Sequence, residues 1–187
     1  MSMSLFGGSR VCQSQALVSR VVGAWLASGG SVSTGCATGA DALVVSSCLA
    51  WSSLAGSGGA GQLSVFAAFG PGGRGSWFRS SVAGVQAAAA AGAQVSWCAG
   101  GELGLPLSVR LFRRSWAALC GCNSAVFFEP GPGSLSVATA AVGRGLPVFV
   151  FSTSAPACLR GCGGCWVPGV FAGLGCWRWS SGQLPLF

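Results

Sequence analysis

Short β-branched or aromatic runs alternate with alanine-rich stretches of helical spacing from the N-terminus to about residue 152, the rhythm of repeated βα units. A first strand is expected to end at Phe6, before Gly7-Gly8-Ser9-Arg10. Leu17, Val18, Val21, Val22, Trp25 and Leu26 then fall on one stripe with Arg20 off it, which predicts an amphipathic helix stopped by Gly29-Gly30. Ser31–Thr34 reads as a second strand, and Asp41 opens a second helix running to Ala50 or Leu54. Gly56–Gly61 reads as a loop, Leu63–Phe69 as a third strand and Pro71–Gly75 as another loop. The pattern continues with a helix over Arg79–Ala91, a strand over Gln94–Cys98 and a helix over Leu107–Leu119. It closes with a strand over Ala125–Glu129, a helix over Ser134–Arg144 and a strand over Val148–Phe151.

Tandem βα units impose right-handed crossovers, so the expected fold is α/β, with a mostly parallel sheet of about six strands covered on both faces. Residues 1–152 form the expected domain. The Cys- and Trp-rich tail, 153–187, loses the rhythm and is expected to pack on that domain or extend it as an edge strand or hairpin.

Composition changes the picture in three ways. Lys, His, Tyr and Ile are absent, which an adenine-poor coding strand explains better than any structural demand, so Arg, Cys, Trp and Gly counts are weak evidence. Ten Arg face only Asp41, Glu102 and Glu129, and the net charge of +7 favours a polyanionic partner. A spanning helix needs ~20 uninterrupted apolar residues, and Gly, Ser and Asp41 break the one candidate stretch. With no secretory signal pattern, the expectation is a cytoplasmic protein with reduced thiols and no membrane partner. Cys158, Cys162, Cys165 and Cys176 are weak candidates for a structural zinc, because the spacing lacks two paired C-x2-C knuckles. No cofactor is expected.

The glycine-rich turns carry the candidate chemistry. A strand, a small-residue turn and a helix bring bare N–H groups and a helix N-terminus to a phosphate. Gly8, Ser9 and Arg10 follow the first strand, with Arg10 available to clamp phosphate. The second turn, Gly35-Cys36-Ala37-Thr38-Gly39, leads into Asp41, which either caps the helix or binds sugar hydroxyls and orients the loop. The third, Gly131-Pro132-Gly133-Ser134, follows Glu129. In a parallel sheet these turns gather at the carboxyl edge.

Gly8-Ser9-Arg10, then Ser33-Thr34-Gly35-Cys36-Ala37-Thr38-Gly39-Ala40-Asp41-Ala42-Leu43, resembles the signature of the SLOG superfamily of nucleotide-binding domains. That superfamily includes the DNA-processing protein A (DprA/Smf) family, YspA-like proteins and the lonely-guy enzymes. Arg110–Ser115 resembles their arginine-bearing helix start, and Val126–Ala138 with Gly145–Val150 resembles their second phosphate turn and next strand. The resemblance covers about residues 4–152 and implies a Rossmann-like three-layer sandwich. It implies that the Gly35–Gly39 and Gly131–Ser134 backbone and the Ser134 hydroxyl receive phosphate, neutralised by Arg10 and by Arg113 or Arg114.

The departures bear on activity. Lonely-guy enzymes use a glutamate to cleave an N-glycosidic bond, and Val137 falls where it would stand. With no His, Lys or Tyr, the inventory leans against an enzyme, leaving Glu129 as a weak catalytic candidate. The favoured expectation is binding of a nucleotide or nucleotide-derived ligand without catalysis. The alternatives are single-stranded DNA binding, as in the DprA family, and a nucleotide-cleaving hydrolase. A homo-oligomer is compatible with all three.

Overall fold

The computed structural model describes residues 2–54, 59–76 and 78–182. It contains β1 (Met3–Gly8), α1 (Gln15–Ala27), β2 (Ser31–Thr34), α2 (Ala40–Leu54), a 3-10 turn (Gly59–Gln62), β3 (Leu63–Phe66) and α3 (Arg79–Ala90). These are followed by β4 (Gln94–Ser96), α4 (Leu107–Leu119), β5 (Ser124–Phe128), α5 (Pro132–Gly143), β6 (Val148–Phe151), β7 (Cys165–Phe171) and β8 (Leu174–Ser180). One eight-stranded sheet has the order β4-β3-β2-β1-β5-β6-β8-β7, parallel from β4 through β6 and antiparallel at β8 and β7. Chain direction across the sheet reverses between β1 and β5, the switch point that leaves a crevice outside the strand ends.

Alternation along the strands builds the three layers. Phe6, Val126, Phe128 and Phe151 join Val18, Val22, Val44 and Val85 in a core on the α1, α2 and α3 side. Leu5, Ala125, Phe127, Val148 and Val150 point the other way, onto Ala118 and Leu119 of α4 and Ala138 and Ala141 of α5. Serines within strands mark the close approach of a helix or neighbouring strand. Ser33 donates 2.6 Å to the Ala118 carbonyl of α4, and the Ser4 and Ser124 hydroxyls meet at 2.6 Å across β1 and β5.

The tail is a hairpin that extends the same sheet, so eight strands replace the expected six or so. Trp177 and Arg178 of β8 pair with β6, and the hairpin tip carries Phe171 back into the core. Its ring lies 5.1 Å from Trp25, 5.0 Å from Phe149 and 5.9 Å from Phe6. The hairpin thus covers apolar surface that a further βα unit would otherwise cover.

Several boundaries differ from the sequence reading. β1 continues past Phe6 to Gly8 because its pairing with β5 persists through Gly8 and Phe128. β3 and β4 stop at Phe66 and Ser96, although Ala67 and Phe69 still exchange backbone bonds with residues 96–99. β5 stops before Glu129, whose φ of 45° is left-handed, and α5 starts at Pro132 rather than Ser134. The expected 56–61 loop holds the 3-10 turn from Gly59, and its residues 56–58 lie outside the described residues. Among the described residues no helix is long and apolar enough to cross a membrane.

Candidate functional site

At the switch point a cavity of about 540 Å³ opens between the end of β1, the N-terminus of α5 and one face of α4. Gly8, Ser9, Arg10, Gly35, Asp41, Arg114, Gly131, Gly133 and Ser134 all line it, so three separate turns converge there. Cys36, Gly39, Arg113 and Glu129 are not in its wall. Missing from the sequence reading are Ser108, Leu111, Phe112 and Ser115, which share one α4 face at i, i+3, i+4 and i+7.

The Gly35–Gly39 turn is held mainly by the protein itself. Asp41 is buried, accepts the Ala37 N–H at 3.1 Å through Oδ2, and pairs with Arg114 Nη1 at 3.1 Å. It therefore orients the loop rather than capping α2. Gly35 is glycine because any Cβ there would overlap the Arg114 guanidinium and lie 2.5 Å from Asp41 Oδ2. Gly39, at φ 73°, passes against the Ser9 and Arg10 carbonyls, and the Ala40 N–H donates 2.9 Å to Ser9. With the Ala37 and Ala40 amides already engaged, this turn has fewer donors for a phosphate than expected.

The α5 turn has the opposite character. Gly131 is the N-cap and makes no side-chain cap bond, while Pro132 occupies the first turn and has no N–H to offer. The Gly133 and Ser134 amides have no intrahelical partner at that position and carry the positive end of the helix dipole. A Cβ at Gly133 would meet nothing within 4 Å. The Ser134 hydroxyl, in the cavity wall, donates to the Gly8 carbonyl at 2.8 Å and so ties α5 to β1.

The arginines divide by task. Arg110 is a strut, donating to the carbonyls of Leu105, Ala68 and Gly75 at 3.1, 2.6 and 3.0 Å. Arg113 is exposed beside Gly101, outside the cavity. Arg114 lines the cavity with a side chain only 9% exposed, and its Nε has no partner. Arg10 is exposed at the rim, where it also borders a separate cavity of about 40 Å³ that Cys36 lines.

The remaining candidates are placed elsewhere. Glu129 is exposed, and its Oε1 accepts a 2.8 Å bond from the Ser14 hydroxyl. Burial pushes the Cys36 thiol up despite Arg114 nearby, and burial with the Glu129 carboxylate does the same at Cys12. Both therefore remain protonated, poorly nucleophilic thiols at neutral pH. Cys158, Cys162, Cys165 and Cys176 form no metal-holding group; none with three or more Cys, Asp or Glu occurs among the described residues. Cys158 and Cys165 are exposed on the loop and hairpin while Cys176 packs against the α1-side core.

No protein-family model matches the chain, and no curated protein matches it by sequence. Solved structures do. DNA processing protein A (DprA) of Streptococcus pneumoniae superposes with a TM-score of 0.63 at 19% identity, over 82% of this chain and 51% of that protein. DNA processing protein A of Helicobacter pylori, a protein whose structure is described for its single-stranded DNA binding mode, gives 0.61 at 13% identity. That match covers 85% of this chain and 67% of the other. The chain thus spans about half the length of the pneumococcal protein. At these identities the likeness is one of fold, the Rossmann-like α/β architecture that the chain shares with those two structures.

Proposed function

We propose that the switch-point cavity binds a backbone phosphate of single-stranded DNA, without catalysis. The observation that carries this reading is the pairing of two features in one cavity. The uncapped N-terminus of α5 supplies oriented amides, and Arg114, held in place by Asp41, lines the same cavity. Arg10 at the rim and the net charge of +7 favour a polyanion over an isolated ion. The fold likeness to a DNA-binding protein supports the same class of ligand. Val137 and the ion-paired Asp41 stand in the wall where a hydrolase would need a free carboxylate, which supports binding alone.

A mononucleotide is the second reading, favoured by the cavity volume of about 540 Å³, which accommodates one nucleotide unit. The test is Gly133→Asp. A carboxylate there occupies the anion position, has open space around it, and complements the helix dipole. The variant should melt at or above the wild-type temperature yet lose fluorescence-anisotropy binding of labelled oligothymidylate. Undiminished binding by a folded Gly133→Asp protein overturns the assignment, and binding of free nucleotides in preference to the strand establishes the second reading.

A further inference from the structure

The first three turns of the fourth helix bury two arginines and leave aromatic side chains exposed. Its arginines Arg110 and Arg114 face inward, while Val109, Phe112 and Trp116 on the opposite stripe are 36%, 51% and 39% exposed. Leaving two aromatics in water on a helix with a buried polar face runs against amphipathic packing. Phe112 and Trp116, at i and i+4, meet edge-on with centroids 6.1 Å apart. Phe112 is also part of the cavity wall, and Trp116 lies one turn further along, outside it.

The cavity itself is larger and more apolar than an inorganic anion requires. Leu5, Phe127 and Val137 line it alongside Leu111 and Phe112, beside the cationic end of α5 and Arg114. A ligand matching both halves carries an anionic group next to a flat apolar one. A nucleotide unit of a strand has that chemistry, and every base offers a π-face to an aromatic side chain.

We infer that Phe112 and Trp116 form a ledge for two bases, on which successive bases of a single strand stack while the strand's phosphate lies in the cavity. This rests on the proposed phosphate site and extends it from one nucleotide to a track. The base nearest the bound phosphate stacks on Phe112, and its neighbour leaves the cavity and stacks on Trp116. The +7 charge makes a polyanionic strand the complementary occupant of this exposed face, in preference to an apolar protein surface. Because each base has the same kind of face, the ledge is tolerant of sequence.

The experiment compares an oligothymidylate of about six nucleotides with an abasic strand carrying the same phosphates. Phe112→Ala and Trp116→Ala should each weaken the thymidine strand by about 5- to 150-fold, the usual value of one stacked base. Phe112→Trp and Trp116→Phe should restore most of that loss. The abasic strand should bind wild type, Trp116→Ala and Trp116→Phe alike, and thermal melts should show each variant folded. Equal affinity of the alanine variants for the thymidine strand overturns the ledge and leaves the phosphate site standing, as does an equal loss by Trp116→Ala with the abasic strand. Wild-type protein that binds neither strand overturns both. Sedimentation showing that Trp116→Ala dissociates a dimer, at unchanged strand affinity, assigns the ridge to self-association and overturns stacking.

Discussion

Gly35→Ala isolates the ion pair that shapes the site. The φ of Gly35 is not in the left-handed region, so on backbone grounds alone alanine should stabilise the fold by about 0.4–1 kcal/mol. The packing reverses that sign. The new methyl would occupy the space of the Arg114 guanidinium and crowd Asp41 Oδ2 at 2.5 Å. Arg114 must swing away, leaving Asp41, 7% exposed at its side chain, with the Ala37 amide as its remaining partner. Breaking a buried pair costs about 3–5 kcal/mol, so the net loss is about 2–4 kcal/mol after the backbone gain. For a chain of this size that is a fall in Tm of about 4–16 °C. Urea denaturation of wild type, Gly35→Ala, Arg114→Ala and the double variant completes the cycle. In the Arg114→Ala background the methyl has room, and its cost should largely vanish. A Gly35→Ala protein as stable as wild type, or more stable, refutes the reasoning.

Two further predictions concern stability. Phe171→Ala removes the hairpin's anchor among Trp25, Phe149 and Phe6 and should cost about 3–5 kcal/mol in urea melts; a loss below about 1 kcal/mol would mean the hairpin does not cover the core. Burial pushes the Cys48 thiol up to about 12 and the Cys122 thiol up to about 11, against an ordinary value of 9.0. The unfolded chain therefore loses these protons first, so their contribution is intact below about pH 9 and declines as pH rises toward 11–12. Urea midpoints measured across that window should fall, and Cys48 should resist alkylation in the native protein; rising midpoints would contradict the burial.

The βα rhythm was legible because each strand's alternation and each helix's stripe report burial directly. Five helices and the first six strands follow from it, with errors of one to three residues at ends set by tertiary pairing, as at Gly8. The hairpin was harder to read. Cys165–Phe171 and Leu174–Ser180 contain Pro168, Gly169 and Gly175, which blur strand signals, and their partner on β6 is distant in sequence. At the site, the glycine turns announced where a ligand would approach, but not which glycines serve the fold. Gly35 is small for Arg114 and Gly39 for the Ser9 and Arg10 carbonyls, whereas Gly133 faces open space. The arginines at 110, 113 and 114 are close in sequence but not in role. Helical geometry sends Arg110 and Arg114 inward and Arg113 out, and that same rotation exposes Phe112 and Trp116.

Salt dependence of binding reads how many strand phosphates the cavity and its rim hold. Affinity for oligothymidylate should fall with a log–log slope of about −0.7 for each phosphate held. With one phosphate in the cavity and a second held by Arg10 at its rim, a slope of about −1.4 is predicted. A mononucleotide held mainly by oriented amides should respond far less. An oligonucleotide slope as shallow as the mononucleotide's would contradict the account.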